Sequence, residues 1–374
     1  MFTVLKNVEL YTPEYSGIKD ILTACGKIAL ISDRIDIWQQ LRPEVVDCSG
    51  MVAMPGLIDQ HVHITGGGGE QGPGSTIGPI SSDELMNAGI TTVVGLLGCD
   101  GVGKSMEELL MKARALEADG LTAFIYSGNY GIPPVTITGR ILTDIALIDK
   151  VIGAGEIAIS DHRSACPTRN ELAKLAYEVL TGGMLGGKAG IVHLHVGNGR
   201  EGLSPLFDLL EFTDFPMQMF VPTHLNRNRS LFDQARRYHS GGGTIDLTAG
   251  EDTDEGINVP QCLVALVESG NGLDRVTVSS DGNGSGAGPS QNDAGSVMAL
   301  FNDIRSAVAD HGLPLELVLK TVTENPAKTL KLHPRKGRIA IGSDADILLA
   351  DKASLTPRML MSGGRLRQIF TLKK

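Results

Sequence analysis

Short apolar runs and amphipathic stretches alternate along most of this chain. Between residues 56 and 282 the β-rich runs are "GLIDQHVHI", "TTVVGLLG", "LTAFIYSG", "IAIS", "GIVHLHVG", "MFVPTH", "GTIDLTAG" and "RVTVSSDG". Stretches such as "KSMEELLMKARALEAD" and "TRNELAKLAYEVL" lie between them, with apolar positions three or four apart, the spacing of a helix that buries one face. Strands alternating with helices predict a parallel sheet of βα units. Eight such units over roughly 280 residues predict an α/β fold of the (β/α)₈ TIM-barrel type, for which ~250 residues is typical.

The two ends follow another rhythm. "FTVLKNVEL" and "GKIALIS" near the start, and "RKGRIAIGSDADILLAD" and "RQIFTLKK" at the finish, read as short strands with Gly and Asp turns and no long helix between them. They predict a small β-sandwich domain built from both termini, residues 1–54 plus 336–374, flanking a barrel over 55–335. Two separate terminal appendages are the alternative.

The net charge of −10 is spread without long runs of one sign, which argues against a nucleic-acid or anionic-membrane surface and leaves small metabolites as the expected partners. Five scattered cysteines with no CxxC pair suggest neither a disulfide framework nor a zinc ribbon, and a cytoplasmic setting is expected. "MFTVLKNVEL" lacks the blocks of a signal peptide, and no apolar run reaches the length of a membrane span.

In a TIM barrel the active site forms at the carboxyl ends of the strands, so polar residues there are candidates. His61 and His63 end the first strand as H-x-H, and with period 2 both side chains project to one side, able to grip one metal. Alone, that pair equally suits two histidines satisfied by hydrogen bonds. His195, His224 and Asp281 end later strands in the same way, and the agreement favours a metal site. Nitrogen and carboxylate donors without thiolate suit zinc or another divalent transition metal. In "VIGAGEIAIS", Glu156 stands at the mouth of an apolar run, where an unpaired carboxylate would cost several kcal/mol. It is therefore the available bridge between two ions; pairing with Arg163 or Lys188 is the plainer alternative. His193 is expected deeper in the barrel core, His162 beside the site, and His239, His311 and His333 at the surface.

With these residues in place, the sequence resembles the amidohydrolase superfamily, and within it most closely the bacterial isoaspartyl (β-aspartyl) dipeptidases. The resemblance is densest in "PGLIDQHVHITGGGGEQGP", "TVVGLLG", "ISDHRSA", "PTHLNRN" and "SSDGNGS", and it extends to the tail "TENPAKTLKL" with "KGRIAIGSDADILL". It implies metal ligation by His61, His63, His195, His224 and Asp281. It also implies substrate recognition by Glu70 and Gly68 of the glycine-rich loop, Cys99, Arg163, Arg227 and Ser285, with Tyr130 near the scissile carbonyl. Better-known members of the family carry a carboxylated lysine as the bridge; Glu156 stands there in this chain, and Cys99 stands where a threonine is usual. The segment leading to Glu156 also looks one residue longer than the family's spacing.

The resemblance implies a metal-dependent enzyme with two divalent metal ions, Zn²⁺ expected, a small dipeptide substrate and a homo-oligomeric assembly. A metal-bridged hydroxide would attack the isopeptide bond, Asp281 would shuttle the proton to the leaving amine, and Tyr130 would donate to the oxyanion. Glu70 suits the substrate ammonium, Arg163 and Arg227 its carboxylates, and Ser285 adds a hydroxyl. The competing expectations are another amidohydrolase reaction, such as cyclic amide hydrolysis or deacylation of an N-acyl amino acid, and a non-catalytic scaffold.

Overall fold

A computed structural model describes residues 2–36, 42–251, 255–285 and 294–369. Strands β1 (Phe2–Tyr11), β2 (Tyr15–Ala24), β3 (Lys27–Ser32), β4 (Glu44–Asp47) and β5 (Met51–Pro55) come first. The barrel strands follow: β6 (Leu57–Val62), β7 (Ile90–Gly95), β8 (Thr122–Ser127), β9 (Val151–Ser160), β10 (Ile191–Val196), β11 (Phe220–Thr223), β12 (Ile245–Thr248) and β13 (Val276–Ser279). Between and after them run α1 (Ser82–Asn87), α2 (Met106–Ala118), α3 (Ile141–Leu147), α4 (Arg169–Gly186), α5 (Ser204–Phe212), α6 (Arg229–Ser240), α7 (Val259–Glu268), α8 (Val297–Ala309), α9 (Leu315–Leu319) and α10 (Glu324–Thr329). The chain ends in β14 (Ile347–Asp351), β15 (Pro357–Ser362) and β16 (Arg365–Gln368).

Strands β6 to β11 pair in parallel in sequence order, and β12 pairs with β13. Two seams close the ring: His63 N–H donates to the Gly282 carbonyl at 2.9 Å, and Leu225 N–H to the Asp246 carbonyl at 3.3 Å. Apart from Thr122 at the start of β8, the strands of this barrel are buried along their whole length, as parallel strands covered on both faces must be. Helices cover the outside through the predicted faces; α2 buries Met106, Leu109, Ala113 and Leu116. Capping boxes at Ser81 with Glu84 and at Thr168 with Glu171 start α1 and α4 where the sequence places a hydroxyl three residues before a glutamate.

The terminal segments join in one sheet, ordered β16-β15-β14-β5-β1-β2-β3 with β4 also on β1. Pro55 pairs with Ile347, so the seam between the N-terminal and C-terminal strands lies at β5 and β14. Its core includes Leu5, Leu10, Ile21, Ile28, Ile347 and Met361.

Three sequence expectations need correction. The fourth barrel strand begins at Val151, six residues ahead of "IAIS", so Glu156 lies within a strand and not at its mouth. "RIAIGSDAD" is a series of turns, and the final strand run starts only at Ile347. His239 is buried, its Nε2 2.5 Å from the Asp274 carbonyl. The ends of "GNGSGAG" and "RQIFTLKK" lie outside the described residues. The five cysteines are unpaired. No helix among the described residues is long and apolar enough to cross a membrane.

Candidate active site

Glu156 reaches the site by an irregularity in β9. Ala154 and Ile157 pair with Val192 and Leu194, so Gly155 and Glu156 together stand opposite His193. Such a bulge re-aims a side chain. Glycine is needed there because a Cβ on Gly155 would sit 2.8 Å from the His193 Cβ.

The two carboxylate oxygens of Glu156 serve different neighbours. Oε1 is 3.6 Å from Nε2 of both His61 and His63, while Oε2 is 2.8 Å from His195 Nδ1 and 3.2 Å from His224 Nε2. Asp281 Oδ1 closes the first group at 3.3 Å from His61 Nε2 and 3.2 Å from His63 Nε2. His224 and Asp281 both adopt left-handed backbone, φ 62° and 50°, an uncommon state for side-chain-bearing residues that recurs at functional sites. Neither Arg163 nor Lys188 pairs with Glu156: Arg163 turns to Asp161 and Glu70, and Lys188 donates to the Ile145 and Ile148 carbonyls.

Burial opposes charge throughout the cluster, yet opposite charges prevail. The carboxylate of Glu156 is desolvated, but His61 and His195 hold its pKa well below the ordinary range. Asp281 is likewise held well below, against burial, by His61 and His63. His61 is correspondingly raised well above an ordinary histidine, against burial, by Glu156 and Asp281. Burial, assisted by Arg227, keeps His224 low. Glu156 Oε1, Asp281 Oδ1 and His61 Nε2 are buried without a hydrogen-bond partner. Orphaned donors and acceptors converging like this fit cations between them. Two groups of metal-compatible ligand atoms, His61 with His63 and Glu156, and Glu156 with His195 and His224, share the one carboxylate.

Beneath this cluster His193 offers Nε2 to His61 Nδ1 at 2.8 Å and stacks on Tyr126, the core role expected of it. Above it, Tyr130 OH lies 2.9 Å from His195 Nδ1, and burial followed by the nearby Glu156 raises its pKa well above the ordinary value, so it remains a donor. Glu70 Oε1 accepts from Ser285 Oγ at 2.6 Å and from Arg163 at 3.1 Å. Cys99 lies beside Glu70; burial, then that carboxylate, pushes its thiol up to about 12. Gly68 is at φ 76° with a Cβ position 2.3 Å from the Ser75 carbonyl, so the loop folds this tightly only with glycine. Arg227 is anchored at 2.9 Å by Glu251, and its terminal nitrogen is 4.0 Å from Asp281.

The residues proposed from the sequence as metal, catalytic and substrate ligands thus gather at one end of the barrel. Two framing carboxylates were not singled out: Asp161, on His195 and Arg163, and Glu251, on Arg227. For Asp161 the available signal was its place at the end of β9, two residues before an arginine.

Histidines and carboxylates at the carboxyl ends of parallel barrel strands place the molecule in the amidohydrolase class, and the model of the Amidohydrolase family matches residues 263–374. A crystal structure of a beta-aspartyl dipeptidase from Fervidobacterium islandicum AW-1 is 43% identical with TM-score 0.91, covering 100% of this chain and 99% of that one. The same organism's enzyme in complex with the beta-Asp-Leu dipeptide is 44% identical with TM-score 0.91, covering 98% of this chain and 96% of that one. The chain belongs to the beta-aspartyl dipeptidase family of amidohydrolases. A dihydroorotase from Elusimicrobium minutum is 28% identical over 163 residues, 43% of this chain; the match spans only 35% of that relative's length.

Proposed function

We propose that this protein hydrolyses the isopeptide bond of β-aspartyl dipeptides at a site holding two divalent metal ions, with zinc as the expected metal. The observation that carries the reading is Glu156, whose two oxygens each face a different histidine pair. His61, His63 and Asp281 would hold one ion, His195 and His224 the other, with Glu156 between them. Bound metals would supply Lewis acidity toward water and the amide carbonyl.

The chain's own groups account for the rest. Asp281, between His61 and His63 on one side and Arg227 on the other, is placed to accept a proton from the attacking water and return it to the leaving amine. Tyr130 keeps its proton and can donate to the developing oxyanion, a contact whose loss typically costs ~10²–10³ in rate. Glu70 offers the anion for the substrate's free ammonium; substrate must then displace part of its present pairing with Arg163 and Ser285. Arg163 and Arg227 present forks for the two carboxylates, and Cys99 and Gly68 line the same loop region.

Assay of the purified protein against β-Asp-Leu, α-Asp-Leu, dihydroorotate, allantoin and an N-acyl amino acid, with metal analysis of the same sample, tests this reading. Turnover of β-Asp-Leu alone with about two zinc per chain is expected. Activity on a cyclic amide or an N-acyl amino acid without the isopeptide would replace it, and metal-free inert protein would favour the scaffold.

A further inference from the structure

Asp161 touches both halves of the site. Its Oδ2 lies 3.1 Å from His195 Nε2 and 3.1 Å from a terminal nitrogen of Arg163; its Oδ1 accepts from the Arg163 backbone N–H at 2.8 Å and from Nε at 2.9 Å. His162 Nδ1, on an exposed ring, is 3.3 Å from Oδ1. The side chain of Asp161 itself is only 4% exposed. Its pocket is cut to size, because a Cβ on Gly197 would lie 2.0 Å from Oδ2.

From this geometry we infer that Asp161 is a positioning residue that fixes the ring of His195 and the guanidinium of Arg163 together, an assignment that rests on His195 being a metal ligand. With Nδ1, beside Glu156, as the nitrogen that would face a metal, the proton of the neutral ring sits on Nε2, and Asp161, which can only accept, takes it. The same carboxylate grips the Nε edge of Arg163 and leaves NH1 to reach Glu70 at 3.1 Å, with the guanidinium carbon 5.2 Å above the Tyr130 ring. Metal retention and recognition of a substrate carboxylate are therefore set by one side chain.

The test compares Asp161→Asn, Arg163→Met and the double variant of the full chain. Zinc affinity of the apo-protein is read by competition with a chelator, and KM and kcat are read with β-Asp-Leu. Asp161→Asn keeps the shape but puts an amide N–H₂ where an acceptor is needed; it weakens zinc binding by ~10–100-fold, the usual effect of losing a histidine's orienting partner, and raises KM. Arg163→Met raises KM and leaves zinc affinity unchanged. The double variant shows no KM increase beyond that of Arg163→Met, since Asp161 acts on KM through Arg163. Should Asp161→Asn fail to fold, Gly197→Ala displaces the carboxylate with its charge intact and produces both losses. Wild-type zinc affinity in Asp161→Asn, or in Gly197→Ala where that variant is the one that folds, overturns the assignment, as does equal zinc loss in Arg163→Met. If the wild-type chain left β-Asp-Leu intact, the functional reading would fall, while the zinc comparison would still decide the role of Asp161.

Discussion

Glu156 is a carboxylate that the surrounding barrel makes expensive to leave alone. Its neighbours are four histidines, and its two oxygens divide them into pairs. A glutamate needs no carbon dioxide to become a carboxylate, so zinc uptake by apo-protein is expected to be independent of bicarbonate; marked dependence would point to a carboxylated lysine in its place. Glu156→Ala is expected to lower bound metal and abolish turnover, and an active variant with full metal would refute the bridge. Most of these residues were legible because strand ends in a barrel converge, so histidines and acids written there meet in space. Asp161 carried only the signal of its place after β9, and Glu251 carried none: nothing local tells which acid will turn onto a loop arginine. His239 was misread despite an available signal, since Leu231, Phe232, Ala235, Tyr238 and His239 form the buried stripe of α6.

At the scale of elements, the bulge in β9 is what delivers Glu156 to the cluster. Gly155→Ala puts a methyl 2.8 Å from the His193 Cβ in a packed barrel. Overpacking of this kind typically costs about 1–3 kcal/mol. A lower denaturant midpoint accompanied by reduced zinc affinity is expected, because Glu156 moves with the bulge; a lower midpoint with unchanged zinc affinity would separate the two. The eight barrel runs could be read from the sequence because fully buried strands are apolar and sharply bounded. β9 was read short because Gly153 and Gly155 interrupt an otherwise apolar run. β2 was overlooked because Gly17, Lys19 and Asp20 break its alternation, and Asp20 is nonetheless buried, accepting from Lys6, Asn7 and Ile35. "RIAIGSDAD" looked like strand, but its polar groups are spent in turns, with Ser343 bonded to Ala340 and Asp344 and Asp346 gathered on Lys336.

For the whole molecule, Lys336 fastens the C-terminal segment to the barrel. Its ammonium is 2.5 Å from Asp346, 3.0 Å from Asp344 and 2.7 Å from Thr122 of β8, with the side chain 3% exposed. Removing one partner of a buried ion pair leaves the others uncompensated, so Lys336→Met is expected to cost about 3–5 kcal/mol in denaturant unfolding. Acid acts on the same joint. Burial disfavours the Asp344 carboxylate, but Lys27 and Lys336 hold its folded pKa below the ordinary value. Its contribution is thus complete above the unfolded pKa of ~4 and disappears as pH falls through the lower folded value. Unfolding free energy should stay level with respect to this group from pH 7 to 5 and decline below 4, and Asp344→Asn should flatten part of that decline. The joint between β5 and β14 also imposes an order on synthesis. Pro55 waits for Ile347. At typical translation speeds the ribosome needs on the order of tens of seconds to make what lies between them. Through that interval the β5 edge that β14 will occupy stays unpaired, the kind of edge at which one chain can pair with another.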